Sequence, residues 1–170
     1  MAAEAVSMGI AFLALLSSIL VLAYAFTSYY NTYTAGIHKL LDYTRYISQS
    51  CLRIVWARYN QTPVPHVEAK LLNCGSTSIV IDSNTSVIIL YRHLGVLRED
   101  VPAYGSGWLV NETIINSIVQ TVPPGQPVSL EPGELALLKA NLTLTPDSSS
   151  PITIYIANSM GVRCSYVLSP

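Results

Sequence analysis

Three cysteines are the residues of this chain with the clearest capacity for covalent chemistry. They are Cys51, Cys74 and Cys164. An odd number outside the cytoplasm leaves one thiol free or joins it to another chain. Cys74 and Cys164 both fall in segments that predict strands, so one interpretation pairs them in a disulfide. The alternative is that all three remain thiols and pack as small hydrophobic side chains.

The other reactive side chains do not form a pattern that catalysis or metal binding requires. His38, His66 and His93 have no partner at the spacing of metal ligands, and neither H-E-x-x-H nor C-x-x-C occurs. The sequence has no G-x-S-x-G or P-loop motif, and its sparse acids form no recognisable dyad. We therefore predict no catalytic residue, no cofactor, no metal and no small-molecule substrate.

The charge distribution argues against a nucleic-acid partner. Nine Lys and Arg residues are scattered along the chain and balanced by ten Asp and Glu residues, which gives a net charge of -1. A nucleic-acid-binding face needs clustered basic residues. An enzyme or ligand receptor carried on an N-terminal anchor stays an alternative. It would require a pocket with titratable groups whose pKa values are perturbed.

The N-terminal segment predicts a membrane helix. No charged side chain occurs over residues 5–37, and residues 6–26 are the most apolar part. As a helix, that part is about 31 Å long, which matches the hydrocarbon core of a bilayer. Apolar residues lie on every side, so the helix needs lipid or a packed bundle around it. The predicted membrane-helix residues are Val6, Phe12, Leu15, Leu20, Leu22 and Phe26.

Helical periodicity continues beyond the apolar part. Between Tyr29 and Cys51, mainly apolar side chains recur at three- and four-residue spacing. This pattern predicts one helix over about residues 5–50 with an amphipathic stalk as its second half. Two interpretations stay open: a membrane span whose stalk packs on its own domain, or a helix in the core of a filament. Glu4 and the lack of basic residues before the apolar part argue against a cleaved signal peptide.

Two signals disagree about the side of the membrane on which the rest of the chain lies. Lys39 and Arg45 follow the apolar part and no basic residue precedes it, which by the positive-inside rule favours the cytoplasm. Four N-x-[ST] acceptor motifs favour the exterior. Their asparagines are Asn60, Asn84, Asn111 and Asn141. We predict an extracytoplasmic domain with at least one of these asparagines glycosylated.

After Ser50 the hydrophobic period changes from helical to alternating, which predicts a β domain over residues 51–170 after a helix and stalk over residues 1–50. In the first strand, Leu52, Ile54 and Trp56 share one face. Seven or eight short strands with regular turns predict an all-β, immunoglobulin-like antiparallel sandwich. Its closing hairpin, residues 152–168, is expected to bury isoleucines of one face. They are Ile152, Ile154 and Ile156.

Residues 95–110 predict a long loop that carries two large aromatic side chains, Tyr104 and Trp108. Such loops are either binding surfaces or connections. In the first case Tyr104 and Trp108 are partner-contact residues, because these residue types often anchor interfaces. In the second, Trp108 turns inward and caps the core. A further strand is predicted over residues 114–119.

Several segments of the chain resemble a known family when they are taken in order. The apolar helix is followed by LLNCGSTSIVID, which is similar to the "NTGSTxL" strand-turn segment of archaellum accessory proteins of the FlaG and FlaF type. Later come a P-G-E turn at residues 132–134 and an SMGV turn that resembles their "NGV" turn. The order matches over essentially the whole chain. The sequence departs from the family in Cys74 and in an insertion between Tyr91 and Leu130.

The resemblance implies a stator role without catalysis. Such proteins anchor the archaellum motor through the membrane helix, and their extracytoplasmic sandwich contacts S-layer protein, sister subunits or another copy of itself. The same architecture of helix and sandwich also occurs in archaeal pilins and archaellins. The alternative implied function is therefore a structural subunit of an archaeal type IV pilus or an archaellum-like filament, located outside the cell.

Overall fold

The computed structural model describes residues 2–169, with side chains from Ser7 onward, and shows a long helix followed by antiparallel β-sheets. The helix α1 extends over Ala2–Gln49. The chain divides into two compact units, one ending at Thr44 and the other beginning at Arg45. The predicted architecture, one long N-terminal helix and an all-β sandwich, is confirmed.

Eleven strands follow the helix within the described residues, more than the seven or eight that the sequence predicted. They are β1 Leu52–Asn60, β2 His66–Asn73, β3 Ile79–Ile81, β4 Ser86–His93, β5 Val96–Asp100, β6 Trp108–Ile115, β7 Ile118–Thr121, β8 Val128–Leu130, β9 Leu135–Asn141, β10 Ile152–Ala157 and β11 Arg163–Leu168. The strands that the sequence did not separate, β5 and β7, are short edge strands of the two larger sheets.

The strands form three antiparallel sheets. The largest has the order β1-β2-β9-β6-β7, the second has the order β11-β10-β4-β5, and β3 pairs with β8. The core between them consists mainly of aliphatic side chains from alternating strand positions. In the closing hairpin, Ile152, Ile154 and Ile156 are all buried, while Tyr155 between them is exposed. The predicted inward face of β10 is therefore confirmed.

A β-bulge changes the face of the first strand. The register of β1 against β2 shifts between Ile54 and Trp56, because a bulge adds one unpaired residue and reverses the alternation beyond it. Leu52, Ile54 and Ala57 are buried, whereas Trp56 is exposed. The prediction that Trp56 shares the inward face was wrong for this reason. The centre of its ring instead lies 5.3 Å from the guanidinium carbon of Arg58 and 5.5 Å from the ammonium nitrogen of Lys70.

Two hairpins occupy the region of the predicted insertion. Residues 95–110 are not one long loop, because β5 pairs with β4 through a turn at Leu94 and Gly95, both of which have positive φ. Residues 114–119 are not one strand, because Asn116 and Ser117 also have positive φ and reverse the chain between β6 and β7. Consecutive positive φ values are the geometry of a tight two-residue hairpin turn.

Candidate functional site

The surface of α1 is apolar and exposed along the predicted membrane segment. Within the described residues, α1 is the one helix long and apolar enough to cross a membrane. The side chain of Val6 lies outside the described residues. The other predicted membrane-helix residues are all exposed in the first unit, and they are Phe12, Leu15, Leu20, Leu22 and Phe26.

Three hydroxyl side chains in and next to this segment are satisfied by the helix itself. The hydroxyls of Ser17 and Ser18 both donate to the carbonyl of Ala14, each at 2.8 Å. The hydroxyl of Thr27 donates to the carbonyl of Ala23, also at 2.8 Å. A hydroxyl bonded to its own helix avoids the cost of an unsatisfied polar group in hydrocarbon. This arrangement suits a helix whose surroundings offer no water.

The predicted contact residue Trp108 lies in the core of the sandwich. Its exposed fraction is 1%, so it is not a surface anchor, and that prediction is corrected. Tyr104 packs edge-on against the Trp108 ring with the ring centres 4.6 Å apart, and its hydroxyl donates to the carbonyl of Gln126. Burial, together with the negative charge of Asp82, raises the pKa of Tyr104. Both rings therefore stabilise the fold.

The loop that carries Tyr104 is folded tightly upon itself. The amides of Gly107 and Trp108 both donate to the carbonyl of Ala103, at 2.7 and 2.9 Å. A Cβ atom at Gly107 would lie 2.7 Å from the Cβ of Pro102, so no larger residue fits without a backbone shift. Glycine at position 107 is therefore required for close packing, and it does not give this loop an adaptable backbone for partner contact.

The two most exposed large apolar side chains described in the β domain lie on the β4–β5 hairpin. Leu94 at its turn is 83% exposed and Leu97 is 65% exposed, and Val96 between them is exposed as well. We call these three residues the hairpin tip. Side chains of β5 are exposed on both faces from Val96 to Glu99, and β5 is an edge strand of its sheet. The hairpin tip therefore offers apolar side chains beside an unpaired strand edge.

Hydrogen bonds hold this hairpin at both ends. At the turn, the carboxylate of Asp147 accepts the amides of Leu94 and Gly95 at 2.8 and 2.9 Å. At the base, the buried carboxylate of Asp100 accepts the hydroxyl of Tyr91 and both the amide and the hydroxyl of Thr143. The hairpin tip is therefore pre-ordered, which lowers the entropy lost when a partner binds.

Lowering the pH is expected to release the turn. The backbone amide of Gly95, followed by that of Leu94 and by the charges of His93 and Arg92, holds the pKa of Asp147 below its usual value. A carboxyl with a lowered folded pKa stabilises the fold above its unfolded pKa of about 3.9, and this contribution is lost as the pH falls through the folded value. The amide NMR signals of Leu94 and Gly95 should titrate together below about pH 3.9.

Asp147→Asn is the control for that titration. The amide side chain keeps one acceptor oxygen but carries no carboxyl proton, so the same two signals should not titrate in the variant. A midpoint at or above the ordinary carboxyl pKa in the parent chain would contradict the assigned role of Asp147.

The disulfide joins a different pair of cysteines from the predicted one. Cys51 is bonded to Cys74, with the two Cα atoms 4.8 Å apart, and Cys164 is a free thiol. The predicted pair of Cys74 and Cys164 is corrected, because Cys74 has its sulfur already bonded at the end of β2. The alternative of three unbonded thiols is corrected for the same reason. Burial raises the pKa of the Cys164 thiol to about 12.

Alkylation should distinguish the three cysteines in the folded chain. At pH 8 a thiol with a pKa of about 12 is ionised to roughly one part in ten thousand, and the thiolate is the reacting form. We expect no iodoacetamide adduct before reduction, two adducts after mild reduction, and a third only after denaturation. Mass spectrometry of peptides should assign the first two to Cys51 and Cys74. An adduct on Cys74 before reduction would refute this pairing.

The four predicted glycosylation sites differ in accessibility. Asn84 is exposed in the turn between β3 and β4, while Asn60, Asn111 and Asn141 are half-buried. The side-chain nitrogen of Asn60 lies 3.3 Å from His66 Nε2. Glycosylation stays a prediction, and Asn84 is the most accessible of the four asparagines.

One pocket of about 340 Å³ is lined by residues that include Tyr59, Arg58, Asp147 and Ile152. Asp147 is already bound to the hairpin turn, and burial raises the pKa of Tyr59, which leaves this phenol protonated. Among the described residues, no group of three or more His, Cys, Asp or Glu side chains is placed to hold a metal ion.

Comparison with known proteins finds similarity at the level of solved structures. No protein-family model matches the chain, and no curated protein matches it either. The archaellum periplasmic stator protein complex of FlaF and FlaG from Sulfolobus acidocaldarius is 26% identical, over 69% of this chain and 87% of that one, with a TM-score of 0.49. FlaG alone, from the same organism, is 26% identical over 70% of this chain and 99% of that one, also with a TM-score of 0.49. The chain is thus similar to archaellum stator proteins of the FlaF and FlaG type, the class that its sequence segments resemble.

Proposed function

We propose that this chain is a membrane-anchored archaellum stator protein. The observation that carries the proposal is the junction of an apolar, exposed helix with an antiparallel sandwich whose turn between β2 and β3 contains the N-C-G-S-T segment. The helix supplies the anchor and the sandwich supplies the docking surface. Neither anchoring nor docking requires a catalytic centre.

The length of α1 supports an anchor with a spacer. Its 48 residues span about 72 Å at about 1.5 Å per residue, more than twice the roughly 30 Å of a hydrocarbon core. One part of the helix therefore suffices to cross a bilayer, and the rest extends beyond it.

The β domain is proposed to lie outside the cytoplasm. The Cys51–Cys74 disulfide supports this orientation, because disulfides persist in oxidising compartments. The four acceptor motifs favour the same side, with Asn84 exposed. Protease treatment of intact cells tests the orientation. Digestion of the domain is expected, and complete protection would favour the inside orientation given by Lys39 and Arg45.

The partner proposed for the hairpin tip is the sandwich of a sister stator subunit. An edge strand can pair with an edge strand of another sheet, while Leu94 and Leu97 bury apolar area beside it. Arg98 and Glu99 on the same strand offer one charge of each sign to complement the partner. S-layer protein and a second copy of this chain are the alternative partners that the binding test distinguishes.

Binding should be measured with the full chain in lipid nanodiscs and three purified probes: the sister subunit of the same organism, its S-layer protein, and the chain itself. Leu97→Asp places a charge in the proposed apolar contact and should weaken binding of the sister subunit at least about tenfold. Ile118→Asp is the matched control, because Ile118 is 63% exposed on β7, an edge strand of a different sheet.

Equal effects of the two variants would remove the hairpin tip from the proposal. Binding to none of the three probes would contradict the stator function. Electron microscopy of the purified full chain addresses the alternative function, that of a filament subunit, which the excess length of α1 also fits. Particles in micelles are expected for a stator protein, and long filaments would favour the alternative.

A further inference from the structure

The chain is cross-linked at the point where it leaves α1 and enters the sandwich. Cys51 immediately precedes β1 and Cys74 immediately follows β2, and these two cysteines form the disulfide. The first cross-strand pair of the hairpin is Leu52 with Asn73. The covalent bond therefore closes the open end of the β1–β2 hairpin, one residue beyond its first pair.

Hydrogen bonds surround this bond on the helix side. The carbonyl of Gln49 accepts the amide of Ser76 at 2.8 Å, and the carbonyl of Cys51 accepts the amide of Cys74 at 2.8 Å. The hydroxyls of Ser50 and Thr77 lie 2.9 Å apart. We call residues 46–51 and 73–78, with the disulfide between them, the clamp. All of these residues belong to the second unit, which begins at Arg45.

The turn of the clamp is itself fixed to the core. Asn73 is fully buried, and its side-chain nitrogen donates to the carbonyls of Thr77 and Leu130, both at 2.8 Å. Its side-chain oxygen accepts the amide of Gly75 at 3.0 Å. A Cβ atom at Gly75 would lie 2.5 Å from the carbonyl oxygen of Gln49, so only glycine allows the two segments to approach this closely.

The topology shows what the clamp does when the helix is pulled. β1 is the end strand of its sheet and pairs there with β2 on one side. Tension that enters from α1 reaches β1 at Leu52, which is also its outermost pair with β2. Without a cross-link, such tension opens the pairs of β1 one after another. With the disulfide, tension passes to Cys74 and thus to β2, which is paired on both sides, by β1 and β9.

We propose that the Cys51–Cys74 clamp is a force-transmitting joint that prevents β1 from peeling away from the sandwich when α1 is under tension. This inference rests on the proposed stator function, because an anchor transmits force between the membrane and its partner. The clamp makes tension act on an inner strand whose removal requires two ladders of hydrogen bonds to break together. Cys74, the residue by which the sequence departs from the family it resembles, thereby has a role.

Force spectroscopy of the full chain tests the joint directly. One handle is attached at the N-terminus and the other at a clickable residue in place of Leu94, so that neither attachment uses a cysteine. In the reduced chain we expect an early extension of about 30 Å, which is the nine residues of β1 at about 3.4 Å each. The oxidised chain should lose this event and extend only at the higher force that unfolds the sandwich.

Two variants serve as controls. Cys51→Ser with Cys74→Ser should show the early extension without reductant, and Cys164→Ser should behave as the oxidised parent chain. If the double variant does not fold, reduction of the folded parent chain during the measurement still decides the question. An oxidised and a reduced chain with the same first extension would overturn the proposal. If the oxidised chain lacks the early extension but binds none of the three probes, the proposed stator function is contradicted while the role of the clamp under force is retained.

Discussion

Trp108→Ala is expected to lower the free energy of unfolding by about 3–5 kcal/mol, the range for truncating a buried Phe or Trp. Trp108 is 1% exposed and starts β6, where it packs against the ring of Tyr104 and pairs with Ala140. Its removal leaves a large cavity between elements that hydrogen bonds hold in place. Denaturant unfolding followed by circular dichroism measures the change without relying on tryptophan fluorescence.

Trp56→Ala is the matched control, because Trp56 is the other tryptophan and is 38% exposed on β1. This variant loses two cation–π contacts, with Arg58 and Lys70, that contribute about 0.5–1 kcal/mol each at exposed sites. The loss for Trp108 should therefore clearly exceed the loss for Trp56. Equal losses would contradict the burial of Trp108 and return it to the set of surface residues.

Ile154→Ala is expected to cost about 2–5 kcal/mol in the free energy of unfolding. Ile154 has no exposed surface and lies in the middle of β10, which pairs with both β4 and β11. A strand held on both sides cannot close the space that the shorter side chain leaves. The loss therefore combines the transfer of the removed methyl groups with a cavity contribution.

Ile118→Ala provides the comparison for Ile154, since Ile118 is also a strand isoleucine but lies exposed on the edge strand β7. Surface substitutions of this kind usually change stability by less than about 0.5 kcal/mol. A loss for Ile154 as small as that for Ile118 would show that the hairpin of β10 and β11 does not bury the predicted face. Both variants can be measured in the same denaturant series.

The sequence was sufficient wherever a long, regular pattern decided the structure. The apolar segment and the three- and four-residue spacing after it predicted α1 because helix formation depends on local hydrogen bonds and on side chains three and four residues apart. The inward face of the closing hairpin was equally predictable, because Ile152, Ile154 and Ile156 occupy every second position of β10 without interruption. In both cases each residue's environment follows from its near neighbours in the chain.

The candidate contact surface could not be predicted in the same way. Trp108 and Leu94 are both large apolar residues near a glycine, and the sequence left open whether Trp108 lies on the surface or in the core. In the structure Trp108 faces the core through β6, whereas Leu94 stands at a turn whose positive φ is held by Asp147. Asp147 is more than fifty residues from Leu94, and no local pattern connects them.

The chain's own sequence therefore determined the long apolar helix, the all-β class of the second domain and the inward face of β10, since these depend on hydrophobic period alone. Only the tertiary structure decided the face of Trp56, because a single bulge reverses alternation without a sequence signal strong enough to place it. It also decided the disulfide. Three cysteines allow three pairs, and Cys51 meets Cys74 only because β1 and β2 pair so that the start of one strand lies beside the end of the other.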